Sequence, residues 1–340
     1  MAKRKPAAAW TRLMQQSWSA LARSNLRAGR RAVAKAIKPA LASRQPPPGD
    51  GDWLAGAVMG PAGLRRYWLY RPPGLRLKPG ERLPLLLMLH GCGQTAPGFA
   101  ASTRMNRVAA RERFLVLYPE QDRLANAQGC WNWFDTRSGR AHSEAALILQ
   151  AVDQVCLLYP ADRERVALAG LSAGASMAAL LASRYPERFK AVVMHSGIPP
   201  GTADSGLSAL GAMRGRRATQ PLPASAPAAA PAPSPWPPLL VIHGSRDAVV
   251  ALSNGRAAVQ AWAEAAGARA AQPRSVRRGK RYPSTVTDFK RGAATVASLV
   301  EVDGLGHAWS GGLASQPFGD GQGPDASRMV WAFAARQFRR

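Results

Sequence analysis

The chain has 340 residues, 46% of them hydrophobic, and a formal net charge of +26. That is enough apolar material for one large α/β domain with extensions, or two small domains. The longest apolar run, near Leu83–Leu89, is too short for a membrane span. Residues 1–49 hold eleven Lys or Arg and no acid, and a second basic cluster sits at Arg274, Arg277, Arg278, Lys280 and Arg281. Such charge either attracts an anionic surface (phospholipid, nucleic acid or a granule coat) or is a solvated arm.

Residues 1–50 read as a basic amphipathic arm and linker. Trp10, Leu13, Met14, Trp18 and Leu21 recur at helical spacing between Arg and Lys, and Leu26, Val33 and Ile37 weakly continue the face. This pattern suits an anionic granule or membrane interface, or packing on the chain's own domain. Nothing in it points to a specific nucleic acid. Gln45–Gly51 is linker-like.

Residues 51–340 read as one α/β domain. Leu64–Arg71 alternates like a strand. Leu83–His90 is a short continuous apolar run, as expected of a strand buried on both faces. A helix over Phe99–Arg113, a strand over Phe114–Tyr118 and a helix over Ser143–Tyr159 follow. Then come strand Arg165–Leu171, helix Gly174–Tyr185, strands Phe189–His195 and Leu239–His243, helix Ser253–Ala266, strand Ala297–Val302 and helix Pro324–Phe338. Strands alternating with helices predict a mostly parallel sheet with helices on both faces. Residues 217–238, rich in Pro, Ala and Ser, interrupt it as an extended insertion.

Gly170-Leu-Ser-Ala-Gly174 is a G-x-S-x-G placed between a strand and a helix, the context of a nucleophile elbow with Ser172 at its tip. A serine needs a base. Of the five histidines, His307 lies in a Gly-rich loop after the last predicted strand, which suits the order Ser, acid, His. His195 and His243 end buried strands and are expected to pack or hydrogen-bond locally. Asp247, shortly after Leu239–His243, is the candidate acid, with Asp288 and Asp303 as alternatives. The oxyanion needs two aimed N–H groups. Ala173, after the nucleophile, and Cys92, in the glycine-rich loop His90–Gln94, are the candidates.

The three cysteines fit neither a zinc site nor a redox motif. Cys156 reads as a buried thiol, whereas Cys92 and Cys130 lie in expected active-face loops, where a disulfide is one possibility. A disulfide argues for an oxidising compartment. The basic start of the chain is not followed by an uninterrupted apolar core, which favours a cytoplasmic, granule- or membrane-associated place instead.

These boxes together, Leu89-His-Gly-Cys-Gly-Gln94, Cys130-Trp-Asn-Trp-Phe134, Gly170–Gly174, His243-Gly-Ser-Arg-Asp247 and Gly304–Gly312, resemble the poly(3-hydroxybutyrate) depolymerase-type esterases. These are α/β-hydrolases related to feruloyl and acetyl-xylan esterases. The resemblance spans about residues 55–338. It implies a triad of Ser172, Asp247 and His307, an oxyanion hole at Cys92 and Ala173, and a Cys92–Cys130 pairing. It also implies Trp131, Trp133 and Trp309 lining an apolar cleft, and ester hydrolysis without a metal or organic cofactor. A carbohydrate-directed esterase and a non-catalytic surface-binding protein are the alternative expectations.

Overall fold

The structure is a computed structural model that describes residues 49–219 and 236–339. The basic arm, over residues 1–48, and most of the Pro/Ala-rich insertion lie outside the described residues. Strands β1 (Asp52–Gly60), β2 (Gly63–Arg71), β3 (Leu83–Leu89), β4 (Leu115–Pro119), β5 (Ala161–Leu171), β6 (Ala191–His195), β7 (Leu239–Gly244), β8 (Arg269–Ala270), β9 (Arg274–Val276), β10 (Ser284–Arg291) and β11 (Ala294–Val302) form one sheet. The helices are α1 (Ala96–Thr103), α2 (Met105–Glu112), α3 (Arg140–Leu158), α4 (Ala173–Arg184), α5 (Gly206–Met213), α6 (Leu252–Ala266) and α7 (Ala326–Gln337). Short strands β12 (Trp309–Ser310) and β13 (Gly319–Asp320) pair apart from the sheet.

Along the sheet the order is β1-β2-β4-β3-β5-β6-β7-β11-β10-β8, with β9 added beside β10. The six strands from β4 to β11 run parallel, flanked by antiparallel β1–β2 on one side and β10 on the other. β3 shows why its sequence is a continuous apolar run. Leu85, Leu87 and Leu89 face one core layer with Ile148, Leu181 and Trp262. Leu86 and Met88 face the other, with Phe99, Val330 and Phe333. A strand covered on both faces has no solvent side to mark with polar residues. Pro84 is tolerated because the register with β5 shifts between Leu83 and Leu85.

The helix expected over Phe99–Arg113 is two helices. Arg104 sits at φ 55°, ends α1 through its own N–H to Ala100 and turns the chain into α2. Its guanidinium donates to the Gly311 carbonyl at 2.5 Å, so a long-range contact overrides a local periodicity. Because β3, β5, β7 and β11 are parallel, the loops that follow them emerge from one edge of the sheet, and those loops carry the candidate residues. Among the described residues no helix is long and apolar enough to cross a membrane.

Candidate active site

β5 ends directly in Ser172, whose backbone is held at φ 57°, ψ −122°, a conformation costly for a residue with a Cβ. Ser172 N–H donates to the His195 carbonyl at 2.9 Å, and α4 begins at the next residue. Two glycines make the turn possible. A Cβ at Gly170 would lie 2.4 Å from the Gly174 carbonyl group, and one at Gly174 would lie 2.1 Å from the Leu89 oxygen. Those distances leave no room for a side chain, so the G-x-S-x-G spacing is a packing requirement.

Two strands away, the loop after β7 brings Asp247 against His307 from the loop after β11. His307 Nδ1 is 2.8 Å from Asp247 Oδ2. A carboxylate can only accept, so Nδ1 carries a proton and points it at Asp247. The other oxygen, Oδ1, accepts from the N–H groups of Val249 and Val250, both at 2.9 Å. Burial pushes the Asp247 carboxyl up. The His307 hydrogen bond, the His307 and His243 imidazoles and the Val250 amide outweigh that and hold it at about 2. His243 stands behind the acid, 3.5 Å from Oδ2, and its Nε2 donates to the Val250 carbonyl at 2.9 Å. Gly255 is what lets it sit there, since a Cβ at 255 would lie 2.8 Å from its Nδ1. The alternative acids are engaged elsewhere: Asp288 with Arg274 and Ser298, both at 2.6 Å, and Asp303 with Ser245 at 3.1 Å. Ser172 Oγ forms no hydrogen bond among the described residues, so the imidazole–carboxylate half of the constellation is closed and the hydroxyl half is open.

In the loop after β3, Gly91 N–H is taken by Gln94 Oε1 at 2.9 Å and Gly93 N–H by the Gln128 carbonyl at 3.0 Å. Cys92 N–H is left without an acceptor among the described residues. A Cβ on Gly91 would touch that of Ser172 at 3.5 Å, so this loop lies beside the serine. Ala173 N–H is the first of α4 and, like the opening N–H groups of any helix, has no intrahelical acceptor. Cys92 and Cys130 are joined by a disulfide, and Cys156 is a free, buried thiol.

A cleft opens over these atoms. Ser172, Ala173 and Cys92 contribute to its floor, and Trp133, Ile198, Leu210, Met213 and Val250 are among its walls. Of the three tryptophans expected there, only Trp133 lines it. Trp131 is fully buried, with its indole N–H on the His90 carbonyl at 3.0 Å. Trp309 is fully buried too, stacked on His195, edge-on to Phe99 and donating to Ser327 Oγ at 3.1 Å. Both fill the space behind the active-face loops because their indole N–H groups find partners there.

The family described as Esterase PHB depolymerase matches residues 65–278. The chain belongs to that family. Its similar curated proteins include poly(3-hydroxyalkanoate) depolymerase C of Paucimonas lemoignei, 37% identical over 131 residues, which is 38% of this chain and 31% of that protein. They also include feruloyl esterase B of Neurospora crassa, 34% identical over 140 residues, 41% of this chain and 45% of that protein. The chain thus matches less than half the length of either relative. Among solved structures, an acetyl xylan esterase from Aspergillus awamori shares the fold, with a TM-score of 0.59 and 21% identity over 76% of this chain and 94% of that one.

Two features of the site were not read from the sequence. The first is α5, whose Ala209, Leu210 and Met213 wall the cleft. Its signal was Ser205, which caps the helix reciprocally with Ser208, but Gly206 and Gly211 masked the helical pattern. The second is a buried polar cluster of Arg65, Gln121, Asn132 and Glu144, whose members are spread over three segments and have no local signature.

Proposed function

We propose that this member of the PHB depolymerase esterase family is a serine carboxylic-ester hydrolase working through an acyl-enzyme. The His307–Asp247 pair, at 2.8 Å on the same sheet edge as the strained Ser172 turn, carries the proposal. Ser172 Oγ attacks the ester carbonyl while His307 Nε2 takes its proton, and Asp247 stabilises the imidazolium. Contacts between nucleophile and base commonly tighten when substrate excludes water, which closes the open half. The N–H groups of Cys92 and Ala173 receive the oxyanion. His307 then protonates the leaving alcohol, and a water activated by the same nitrogen releases the acid.

The apolar walls of the cleft suit a short hydroxyalkanoate oligomer, such as 3-hydroxybutyrate units, or a small acyl ester. A feruloyl or acetyl-xylan ester is the second reading, favoured by the relatives bearing those names. Rates on hydroxybutyrate oligomers against feruloylated sugars separate them. Ser172→Ala is expected to lower turnover of p-nitrophenyl butyrate by about four to six orders of magnitude; undiminished turnover refutes the mechanism. The basic arm over residues 1–48 is proposed to dock on an anionic granule or membrane surface. Its deletion should abolish co-sedimentation with anionic liposomes while small-ester turnover survives; retained co-sedimentation excludes it.

A further inference from the structure

The buried polar cluster of Arg65, Gln121, Asn132 and Glu144 lies outside the cleft lining. Arg65, on β2, and Glu144, on α3, are 0% and 1% exposed and stand 3.7 Å apart. Glu144 Oε1 accepts from Asn132 Nδ2 at 2.6 Å and Gln121 Nε2 at 2.8 Å, and its Oε2 accepts from the Asn132 backbone N–H at 3.0 Å. Gln121 also donates to the Cys130 carbonyl at 2.8 Å and accepts from Arg65. A buried ion pair is seldom more stabilising than apolar residues of the same volume, and Arg65 Nε and Nη2 have no hydrogen-bond partner among the described residues, so stability alone does not account for the pair.

The geometry it fixes is that of residues 130–132 and, through them, of the loop after β3. The Arg65 guanidinium lies over the Trp131 ring at 5.3 Å from its centre. The Trp131 indole N–H donates to the His90 carbonyl, and Gln121 N–H donates to His90 Nε2 at 3.1 Å. Cys130, whose carbonyl Gln121 holds, is bonded through sulfur to Cys92. Cys92 is therefore held from both directions: through the peptide plane at His90 and through its own side chain. Its N–H is the one left without an acceptor in a loop where the flanking N–H groups are taken.

We infer that Trp131, seated by the buried Arg65–Glu144 pair, is a positioning residue that aims the Cys92 N–H at the developing oxyanion. This rests on the serine-esterase reading of the site. Positioning of this kind acts on the transition state more than on ground-state binding, because the donor strengthens its bond only as charge builds on the oxygen.

The test uses the full chain with Trp131→Phe, which keeps an aromatic ring against Arg65 and removes the N–H together with part of the buried ring volume, so kcat is compared per folded molecule. Turnover of p-nitrophenyl butyrate and inhibition by butylboronic acid, which forms a tetrahedral adduct on the active serine, are measured together. The expected result is a kcat about tenfold lower, a KM within twofold of the parent, and boronate affinity reduced by the same factor as kcat. A folded variant with parental kcat and boronate affinity overturns the inference, as does a change confined to KM. A loss of thermal stability with unchanged kcat per folded molecule overturns it too, by assigning the indole to stability alone. A second variant, Arg65→Met with Glu144→Leu, removes both charges without stranding either. It also takes the acceptor from the buried Gln121 and Asn132 donors, so Tm should fall, while kcat per folded molecule and boronate affinity should fall together; parental values for both limit the pair to structure and overturn its part. The esterase reading fails separately: a parent chain without ester turnover, or full turnover in Ser172→Ala, defeats that reading before Trp131 is in question.

Discussion

Asp247 and Glu144 are both buried carboxylates, and they are held in opposite ways. Asp247 takes two N–H groups from its own turn, at Val249 and Val250, and one imidazole from another loop. Glu144 takes its donors from Gln121 and from the side chain and backbone of Asn132, both in the loop before its helix, with the Arg65 guanidinium nearby to offset its charge. Asp247, held low by the His307 hydrogen bond, the neighbouring imidazoles and the Val250 amide, pairs with no guanidinium among the described residues, and in the proposed mechanism it stabilises a transient cation on His307. An acid neutralised by Arg65 serves instead to hold loops in place. On the proposed reading, the same functional group supports charge development in one region and rigidity in the other.

The sharpest way to break this comparison is Asp247→Asn. An amide at 247 offers Nδ1 a donor or the wrong tautomer partner while keeping the shape, so kcat on p-nitrophenyl butyrate should fall by about 10⁴ with little change in Tm. A fall of less than tenfold would remove Asp247 from the relay. Glu144→Gln should do the reverse, because it leaves the Arg65 charge buried without an anion. The expected loss is about 3–5 kcal/mol of stability in a urea titration; an unchanged midpoint would mean that Arg65 finds compensation elsewhere.

A smaller effect is expected from reducing the Cys92–Cys130 disulfide, which closes a loop of 38 residues in sequence separation. Its loss should cost about 2–4 kcal/mol and lower kcat as the loop after β3 loosens. Measuring Tm and turnover with and without dithiothreitol checks both.

Smallest is a pH effect from histidines outside the relay. Burial lowers His90 to about 4 and His195 to about 3. Their folded values lie below the unfolded value near 6.5, so the unfolded chain binds the extra proton as pH falls. Their contribution is therefore whole above 6.5 and declines below it, by about 1.4 kcal/mol per histidine by pH 5.5. Asp247, shifted down, has the opposite window: its contribution is present above the unfolded carboxyl value and is lost only as pH falls toward about 2. Urea midpoints at pH 7.5 and 5.5 should differ accordingly, and His90→Asn should narrow the gap. Equal midpoints would contradict neutral burial of these imidazoles.

Much of this was legible in the chain itself. The apolar run at Leu83–Leu89 and the strand–turn–helix around Ser172 follow from short-range sterics and burial, and both appear as strands and elbow where the pattern puts them. Asp247 and His307 were legible because each follows a predicted strand by a few residues. The tryptophans were not: Trp131, Trp133 and Trp309 are the same side chain in similar Gly- and Asn-rich surroundings, and only the fold decides that one faces the cleft and two do not. The antiparallel flanks β1 and β10 escaped although each is joined to its partner by a two-residue hairpin, because β1 is rich in Ala and Gly and β10 in Ser, Thr and charged residues, which blurs the apolar alternation.

The sequence by itself determined the alternation of the central parallel strands with helices, the glycine pair that permits a strained serine, and which groups are candidates to act on an ester, since these depend on neighbours within a few residues. Only the tertiary structure decided which carboxylate meets which imidazole, which indole is walled in, and that four polar side chains from three segments meet under Cys92. Those outcomes depend on contacts between residues tens to hundreds of positions apart, whose free energy no local pattern encodes.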